Sequence, residues 1–541
     1  MEVVEMVLAL LLAVAASGFV DRLSPVPLPL PILQIGLGAL LSYAGGFQVE
    51  LHPQVFFLVF LPPLLFLDGW RIPKRGLFRD GWTIAELALG LVLFTVLGVG
   101  FFIHWMIPEM PLAVAFALAA VLSPTDPIAV SAVAARVPIP HRLMRILEGE
   151  SLLNDASGLV CLRFAVAAAL TGSFSMSDAA LTFLQLAAGG IAIGMALTWA
   201  VMRVLGRLVR HVGEDPALQT LVSLLIPFGA YLAAEHFNFS GILAAVAAGI
   251  IMNYAEIFGQ PQAATRIRRN AVWDMVQFAA SGIIFVLLGE QLPRILAGVA
   301  GPKDGSAWML AVYVLAIVVV LALLRLGWVW TSLQFTLYRA LLKGGPRPRV
   351  GWRVLVATSL AGVRGAVTLA GVLTLPLVME DGSPFPARDL AIFLAMGVIL
   401  VSLVVASVLL PPVLRGLQLL PEDAQEREEN EARRAATEAA LKAIQRMQHQ
   451  MAAGHADAEL YAEAATLSME PYRHRLDGAQ LSEEEAERHR RIAGAERELR
   501  LAGLKAERET LFHLRRIRQI EDGTFSRLLR EIDLAEASYG T

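Results

Sequence analysis

Thirteen stretches of this chain are apolar over lengths that approach or match the thickness of a lipid bilayer. Their rough spans are 3–20, 26–45, 53–70, 84–107, 111–136, 149–171, 178–206, 216–235, 239–256, 271–293, 307–335, 353–378 and 388–417. About 20 apolar residues in a row let a helix cross the hydrocarbon core. No water is present there to satisfy backbone N–H and C=O groups, so each span is expected to be a helix. Composition agrees: 56% of the 541 residues are hydrophobic and 17% charged, against about 25% charged in soluble domains. A mean hydropathy of +0.59 excludes an ordinary soluble protein. The expected fold class is an all-α polytopic membrane protein with 13 transmembrane helices.

The charges between the spans test that number. Arg71, Lys74, Arg75 and Arg79 follow the third span, and Arg136, Arg142 and Arg145 follow the fifth. Arg203, Arg207 and Arg210 close the seventh, and Arg266, Arg268 and Arg269 follow the ninth. Arg339, Lys343, Arg347 and Arg349 follow the eleventh. The alternate connections are poor in cations, with Arg294, Lys303 and Arg388 the exceptions. Every basic connection therefore falls on one side, which the positive-inside rule makes cytoplasmic. This predicts an N-terminus outside and a C-terminus inside the plasma (inner) membrane. The start, Met1-Glu2-Val3-Val4-Glu5, is acidic, whereas a signal peptide opens on basic residues. Span 3–20 accordingly reads as the first membrane helix, with Ala13-Val14-Ala15-Ala16-Ser17, which imitates a cleavage site, leaving processing as the alternative. The single cysteine, Cys161, allows no disulfide within the chain and reads as a small buried hydrophobe.

The composition changes at about Gln418. Residues 1–417 form the membrane part, and 418–541 read as a cytoplasmic helical tail. Charged, Ala-rich stretches run from Glu422 to Met451 and from Leu481 to Ile520. Ser482-Glu483-Glu484-Glu485 resembles a helix start, with acids near the positive end of the dipole. Residues 525–534 alternate as a last amphipathic helix. A packing role and a regulatory role both fit this tail. Its histidines have no metal-ligand spacing, and no cofactor is expected.

Polar breaks inside the apolar spans carry the functional reading. The sixth span contains Glu148-Gly149-Glu150-Ser151-Leu152-Leu153-Asn154-Asp155. A charge at the bilayer centre costs at least about 2.5–3.5 kcal/mol, so an intramembrane acid points to function. Ser151 and Asp155 share one helix face, as do Glu150 and Asn154. The fifth span is broken by Ser123-Pro124-Thr125-Asp126-Pro127. Each proline removes a backbone donor, and broken helices near the midplane mark binding sites in secondary transporters. A plain proline kink with Asp126 satisfied by amides is the bland alternative. In the twelfth span, Ala361-Gly362-Val363-Arg364-Gly365-Ala366 places two glycines and an arginine in an apolar run, which suits a second broken helix. Spans five and twelve, each followed by one long helix, suggest two inverted repeats with crossed broken helices. The transport core would then lie around 84–171 and 307–417. Arg325, within span eleven, needs an acid partner if buried, and Glu150 is the best candidate. Alternatively Arg325 snorkels to the surface. Arg163, in span six, has no partner legible in the sequence.

The stretches Glu150-Ser151-Leu152-Leu153-Asn154-Asp155, Thr125-Asp126-Pro127 and Gly362-Val363-Arg364-Gly365-Ala366 resemble the signatures of monovalent cation:proton antiporters. The branch they resemble is that of the sodium/proton exchangers. Residues 55–64, with Phe57, Leu58, Pro62 and Pro63, are similar to a segment linked with amiloride sensitivity in animal exchangers. The resemblance implies that Asp155 carries either a cation or a proton. It implies that Asp126, Thr125 and Ser151 complete an oxygen cage for Na+ or Li+, with K+ a further candidate. It makes Glu150 with Arg325 a structural ion pair and Arg364 a support of the helix crossing. Asn154 stands where electrogenic members have a second aspartate, which favours one-for-one, electroneutral exchange. An elevator-like or rocking motion and a homodimer are implied as well. The expected partners are monovalent cations, protons and the lipid bilayer.

The chemistry of the residues fits this independently. Hard cations take oxygen ligands, and a carboxylate in an apolar wall must be neutralised by a proton or a cation. Competition at one alternately exposed site is enough for coupled exchange. A potassium/proton antiporter of the same fold is the near alternative. A cation channel would need a continuous pore lined by oxygen rings. A membrane sensor signalling through the tail is the remaining reading, and no nucleophile–base constellation supports an enzyme.

Overall fold

The computed structural model describes residues 2–23, 28–45, 53–71, 86–126, 141–172, 176–259, 261–299, 306–342, 351–379, 381–415, 423–452, 458–477 and 483–539. Among these the chain is helical, with no strand and one isolated β-bridge between Val378 and Pro384. It divides into two compact units, Met1–Gln418 and Leu419–Thr541.

The first unit begins with α1 (Glu2–Leu23), α2 (Leu30–Gly45) and α3 (Pro53–Arg71). A π-helical turn, Glu86–Leu91, leads into α4 (Val92–Met106), and α5 (Leu112–Leu122) follows. Then come α6 (His141–Thr171), α7 (Met176–Val212), α8 (Pro216–His236), α9 (Gly241–Gly259), α10 (Ala263–Val299) and α11 (Ser306–Leu342). The unit closes with α12 (Trp352–Leu360), α13 (Ala366–Leu373) and α14 (Arg388–Arg415). Eight helical stretches among the described residues are long and apolar enough to cross a membrane, and three shorter apolar helices accompany them. Helix ends follow local chemistry. Asp215 caps α8 by accepting from Ala217 N at 2.8 Å and Leu218 N at 3.3 Å, with Pro216 at the first helical position, where its missing N–H costs nothing.

Several helices run beyond their apolar spans. α6 starts at His141 and α10 at Ala263, each eight residues before the apolar run. Arg269, read from the sequence as part of a connection, is therefore helical. It is 2% exposed, ion-paired with Glu256, and stacked 5.3 Å from the Trp70 ring. A cation shielded from water requires such a partner. Lys74, Arg75, Arg79, Pro127, Arg136, Lys303, Lys343, Arg347 and Arg349 lie outside the described residues, as does the rest of span five after Asp126.

Packing sorts the first unit into two bundles. Helices α1, α2, α3, α7, α8, α9 and α10 pack on one another, and α4, α5, α6, α11, α12, α13 and α14 form the second group. The bundles meet along a seam formed by α2, α3, α9 and α10 on one side and α6, α13 and α14 on the other. Glycines bring the first bundle to backbone contact. A Cβ at Gly249 of α9 would strike Phe66 O and sit 2.8 Å from Trp70 N on α3. Small residues permit such approach in lipid, where apolar burial alone does not drive helices together. Apolar side chains then fill the core, with Leu61, Leu65, Leu118, Leu122, Ile284 and Val398 among the buried residues.

The second unit consists of α15 (Asp423–Ala452), α16 (Ala458–Asp477), α17 (Glu483–Arg516) and α18 (Asp522–Tyr539). α15 packs on α16 and α17 on α18. The turn of the second pair is tied by Arg515, which bonds Asp522 at 2.8 Å and lies 4.6 Å from the Phe525 ring.

The close approach of α3 and α9 yields a stability prediction. Overpacking a tight contact costs about 1–3 kcal/mol. Gly249→Ala is expected to lower the melting temperature in detergent. Gly36→Ala, where an added Cβ meets nothing within 4 Å, is expected to leave it unchanged or raised. Equal melting temperatures for the two variants would contradict the packing.

Candidate ion-binding site

Two helices stop where they pass each other. α5 ends at Leu122, because Pro124 has no N–H to give to the preceding turn. Residues 123–126 continue without helical structure. α12 ends at Leu360 and α13 starts at Ala366, with residues 361–365 non-helical between them. The two irregular segments satisfy one another. Asp126 N donates to Val363 O at 2.8 Å, and Arg364 Nε donates to Leu122 O at 2.9 Å. Arg364 also donates from Nη1 to Gly362 O, and its own N–H reaches Ser402 Oγ of α14 at 3.3 Å. Gly365 caps α13, and a Cβ there would overlap the Asp126 carboxylate. Glycine is required at that position by the close approach of the acid.

Beside the crossing lies a buried charge pair. Arg325 of α11 donates to Glu150 of α6 twice, Nη1 to Oε1 at 2.5 Å and Nη2 to Oε2 at 2.9 Å. Its Nε donates to Thr358 O of α12 at 3.1 Å. Both side chains are almost fully buried. Breaking a pair like this typically costs about 3–5 kcal/mol, because one charge is left uncompensated. Thr125 Oγ1 donates to Glu150 Oε1 at 3.2 Å and accepts from Asn154 Nδ2 at 3.0 Å. Arg325, Glu150, Thr125 and Asn154 thus form one chain of hydrogen bonds from α11 to the α5 break. Among the described residues, Asn154 Oδ1 has no hydrogen-bond partner.

The remaining polar groups surround a cleft of about 20 Å³. That volume accommodates a single water-sized body. Thr125, Asp126 and Pro124 line it from the α5 break, Ser151 and Asp155 from α6, and Gly365, Ala366, Val367 and Thr368 from α13 and its cap. Ser281 of α10 and Leu64 and Asp68 of α3 complete the wall. Asp155, Ser151 and Thr125 are buried, and Asp126 and Asp68 are half-buried. Asp68 and Asp126 both act on Asp155 electrostatically. Three carboxylates thus face one small space. Among the described residues no three acids, histidines or cysteines close on a common point as a resident metal site.

Asp155, Asp126, Thr125 and Ser151 come together here, with Asn154 one hydrogen bond behind Thr125. Glu150, Arg325 and Arg364 stand outside the cleft and hold its walls. Asp68 is the site residue that sequence reasoning missed. It precedes Gly69-Trp70-Arg71 at the end of span three and reads there as an interfacial charge. Its distance from the basic connection, three residues before Arg71, was the only available signal. Pro62 and Pro63 are buried within α3, one to two turns before Asp68, and Leu58 is half-buried. The side chain of Phe57 lies outside the described residues.

Comparisons with known proteins agree with this geometry. Residues 7–416 match the family model described as sodium/hydrogen exchanger, transmembrane. The chain is 43% identical over 548 residues to YjcE of Escherichia coli (strain K12), named an uncharacterized Na(+)/H(+) exchanger, with 99% of both chains covered. It is 42% identical over 416 residues to a Bacillus subtilis (strain 168) protein named a sodium, potassium, lithium and rubidium/H(+) antiporter. That match covers 76% of this chain and 61% of the longer relative. Among solved structures, the sodium proton antiporter MjNhaP1 of Methanocaldococcus jannaschii aligns with a TM-score of 0.58 at 21% identity. It covers 77% of this chain and 99% of that one, and at this identity the likeness establishes the fold. A match over most of the chain, an antiporter fold and two irregular backbone segments that satisfy one another converge: the chain belongs to the sodium/hydrogen exchanger family of monovalent cation:proton antiporters.

Proposed function

We propose that this protein exchanges Na+ for H+ across the plasma membrane by alternating access, with Asp155 as the carboxylate that holds one or the other. The observation that carries the reading is the cleft itself, where Asp155, Asp126 and Asp68 face a space for one dehydrated ion. Carboxylates withdrawn from water must be neutralised. A proton on Asp155 or a sodium ion bound beside it does so, and the two exclude one another. Thr125 and Ser151 supply neutral oxygens, and Asn154 orients the Thr125 hydroxyl from behind. Li+ and K+ present the same charge, and the Bacillus subtilis relative named for several alkali cations makes K+ the second candidate.

The location of the acids suits a moving barrier. Asp126 and Asp155 belong to the α4–α6 and α11–α14 bundle, whereas Asp68 belongs to the other. Sliding or rocking one bundle along the seam changes which side of the membrane the cleft meets. Asn154 leaves Asp155 as the titrating group of its own turn, which favours one proton per sodium ion and no net charge moved. The thirteen apolar spans are read as thirteen crossings, with inverted repeats of about six helices on either side of the seventh span, which acts as a linker. With the basic connections inside, the N-terminus lies outside, and the helical unit after Gln418 lies in the cytoplasm. A homodimer is the expected assembly.

Everted vesicles with an imposed pH gradient test the assignment. Wild-type protein is expected to give sodium-dependent dequenching of a pH dye, and Asp155→Asn to abolish it while the purified protein keeps its melting temperature. Full exchange by that variant would remove Asp155 from the mechanism. Asp68→Asn is expected to retain exchange and raise the apparent KM for Na+ roughly tenfold, the loss of one charge-assisted contact. An unchanged KM would place Asp68 outside the ion's reach.

A further inference from the structure

Arg163 is the intramembrane cation that the exchange reading leaves unused. The structure gives it a partner. Arg163 Nη2 lies 2.8 Å from Glu235 Oε1, with the two side chains 43% and 35% exposed. Arg163 is on α6, in the same bundle as Asp126 and Asp155, and Glu235 is on α8, in the other. The pair therefore spans the seam. It lies eight residues beyond Asp155 on α6, about 12 Å along the helix axis, and eight residues before the end of α6 at Thr171.

Glu235 is fixed on its own side. Its Oε1 also accepts from Gly241 N at 3.1 Å, at the N-terminus of α9. A Cβ at position 241 would press on the Tyr231 ring at 2.7 Å and on Glu235 Cγ at 3.0 Å, so glycine there leaves room for both side chains of α8 beside that helix end. The positive end of the α9 dipole favours the carboxylate there. α9 in turn packs on α3, α7 and α8 of the same bundle. When the bundles part, Glu235 keeps a donor and stays, and Arg163 leaves with α6.

We propose that Arg163 and Glu235 form the gate that closes the seam between the cleft and the C-terminal end of α6. The inference rests on alternating access. A site that opens to both sides must part its walls on each side in turn, and this ion pair is a polar bond across the wall on that side. A charge pair suits the task. Closed, each charge neutralises the other where the surroundings are apolar; open, each regains water. A half-exposed pair biases an equilibrium by no more than about fivefold, so it holds the seam shut without locking it.

Two measurements on the full-length protein in proteoliposomes test the gate. In the first, Arg163→Cys and Glu235→Cys are combined with Cys161→Ser and bridged by a reductant-cleavable bifunctional thiol reagent. A reagent is used because a direct disulfide needs Cα atoms within about 7 Å. Cross-linking is expected to lower Na+/H+ exchange at least tenfold, and reductant to restore the rate measured before bridging. Undiminished exchange with most of the protein bridged would overturn the gate while leaving the exchange function standing.

The second measurement needs no transport. A cysteine at Ser281, which lines the cleft from α10, is labelled by an impermeant maleimide from the side of the α6 C-terminal end, with Cys161→Ser as background. Arg163→Gln and Glu235→Gln are each expected to speed labelling roughly two- to fivefold. The swapped pair, Arg163→Glu with Glu235→Arg, is expected to return it toward the starting rate. Labelling rates identical in all four proteins would overturn the proposal. A labelling shift in a protein that exchanges no sodium for protons would keep the gate and remove the proposed function.

Discussion

Two helices give up their hydrogen bonds at the same place, and each supplies what the other lacks. The Asp126 amide takes Val363 O, and the Arg364 side chain covers Leu122 O and Gly362 O. Irregular backbone inside a membrane is tolerated only where protein or a wet cavity covers it. That constraint accounts for residues that otherwise look unrelated. Gly365 has no side chain because the Asp126 carboxylate occupies the space. Arg364 is buried because it substitutes for missing amides. The Glu150–Arg325 pair braces α6 against α11 beside the crossing and ties in Thr125 through its hydroxyl. The crossing leaves a small polar space in an apolar bundle, and Asp155, Asp126 and Asp68 border it.

In the proposed exchange the same arrangement would tie binding to motion. The cleft has walls from both bundles, with Asp155 and Asp126 on one and Asp68 and Ser281 on the other. An ion held by both walls interacts differently with them once they shift, and only such differential contacts let a ligand bias a conformational equilibrium. The glycine-mediated contacts of α3 with α9 keep Asp68 on a stiff support. Among the described residues no glycine gives the seam a comparable backbone interlock, and the polar bond described across it, Arg163 with Glu235, is half-exposed. Rigid bundles and a soft seam are the physical requirement for alternating exposure.

Much of this was legible before any coordinates. Pro124 and the Gly362 to Gly365 stretch announce the two breaks, because helix chemistry fails there locally. An arginine in an apolar run, Arg325, demands an acid, and few acids are on offer. The eight helical stretches that are long and apolar enough to cross a membrane all fall on spans visible in the hydropathy. What stayed hidden is long-range or marginal. Helices α6 and α10 begin about two turns outside their apolar spans, since a helix leaving the bilayer keeps its backbone bonds while its side chains turn polar. Asp68 sits near the end of α3, where a charge has an ordinary interfacial explanation. Only the packing of α3 across the seam turns it into the cleft. Arg163 and Glu235 are 72 residues apart, and nothing local in either helix names the other.

The central claim is that a sodium ion and a proton compete for Asp155. Proton release on sodium binding tests it most directly, by adding Na+ to the purified protein in weakly buffered detergent solution and following pH. Cation binding to a protonated carboxylate must expel its proton, so the account predicts about one proton released per sodium ion bound, and none from Asp155→Asn. Sodium binding without proton release, or release that persists in Asp155→Asn, would contradict it.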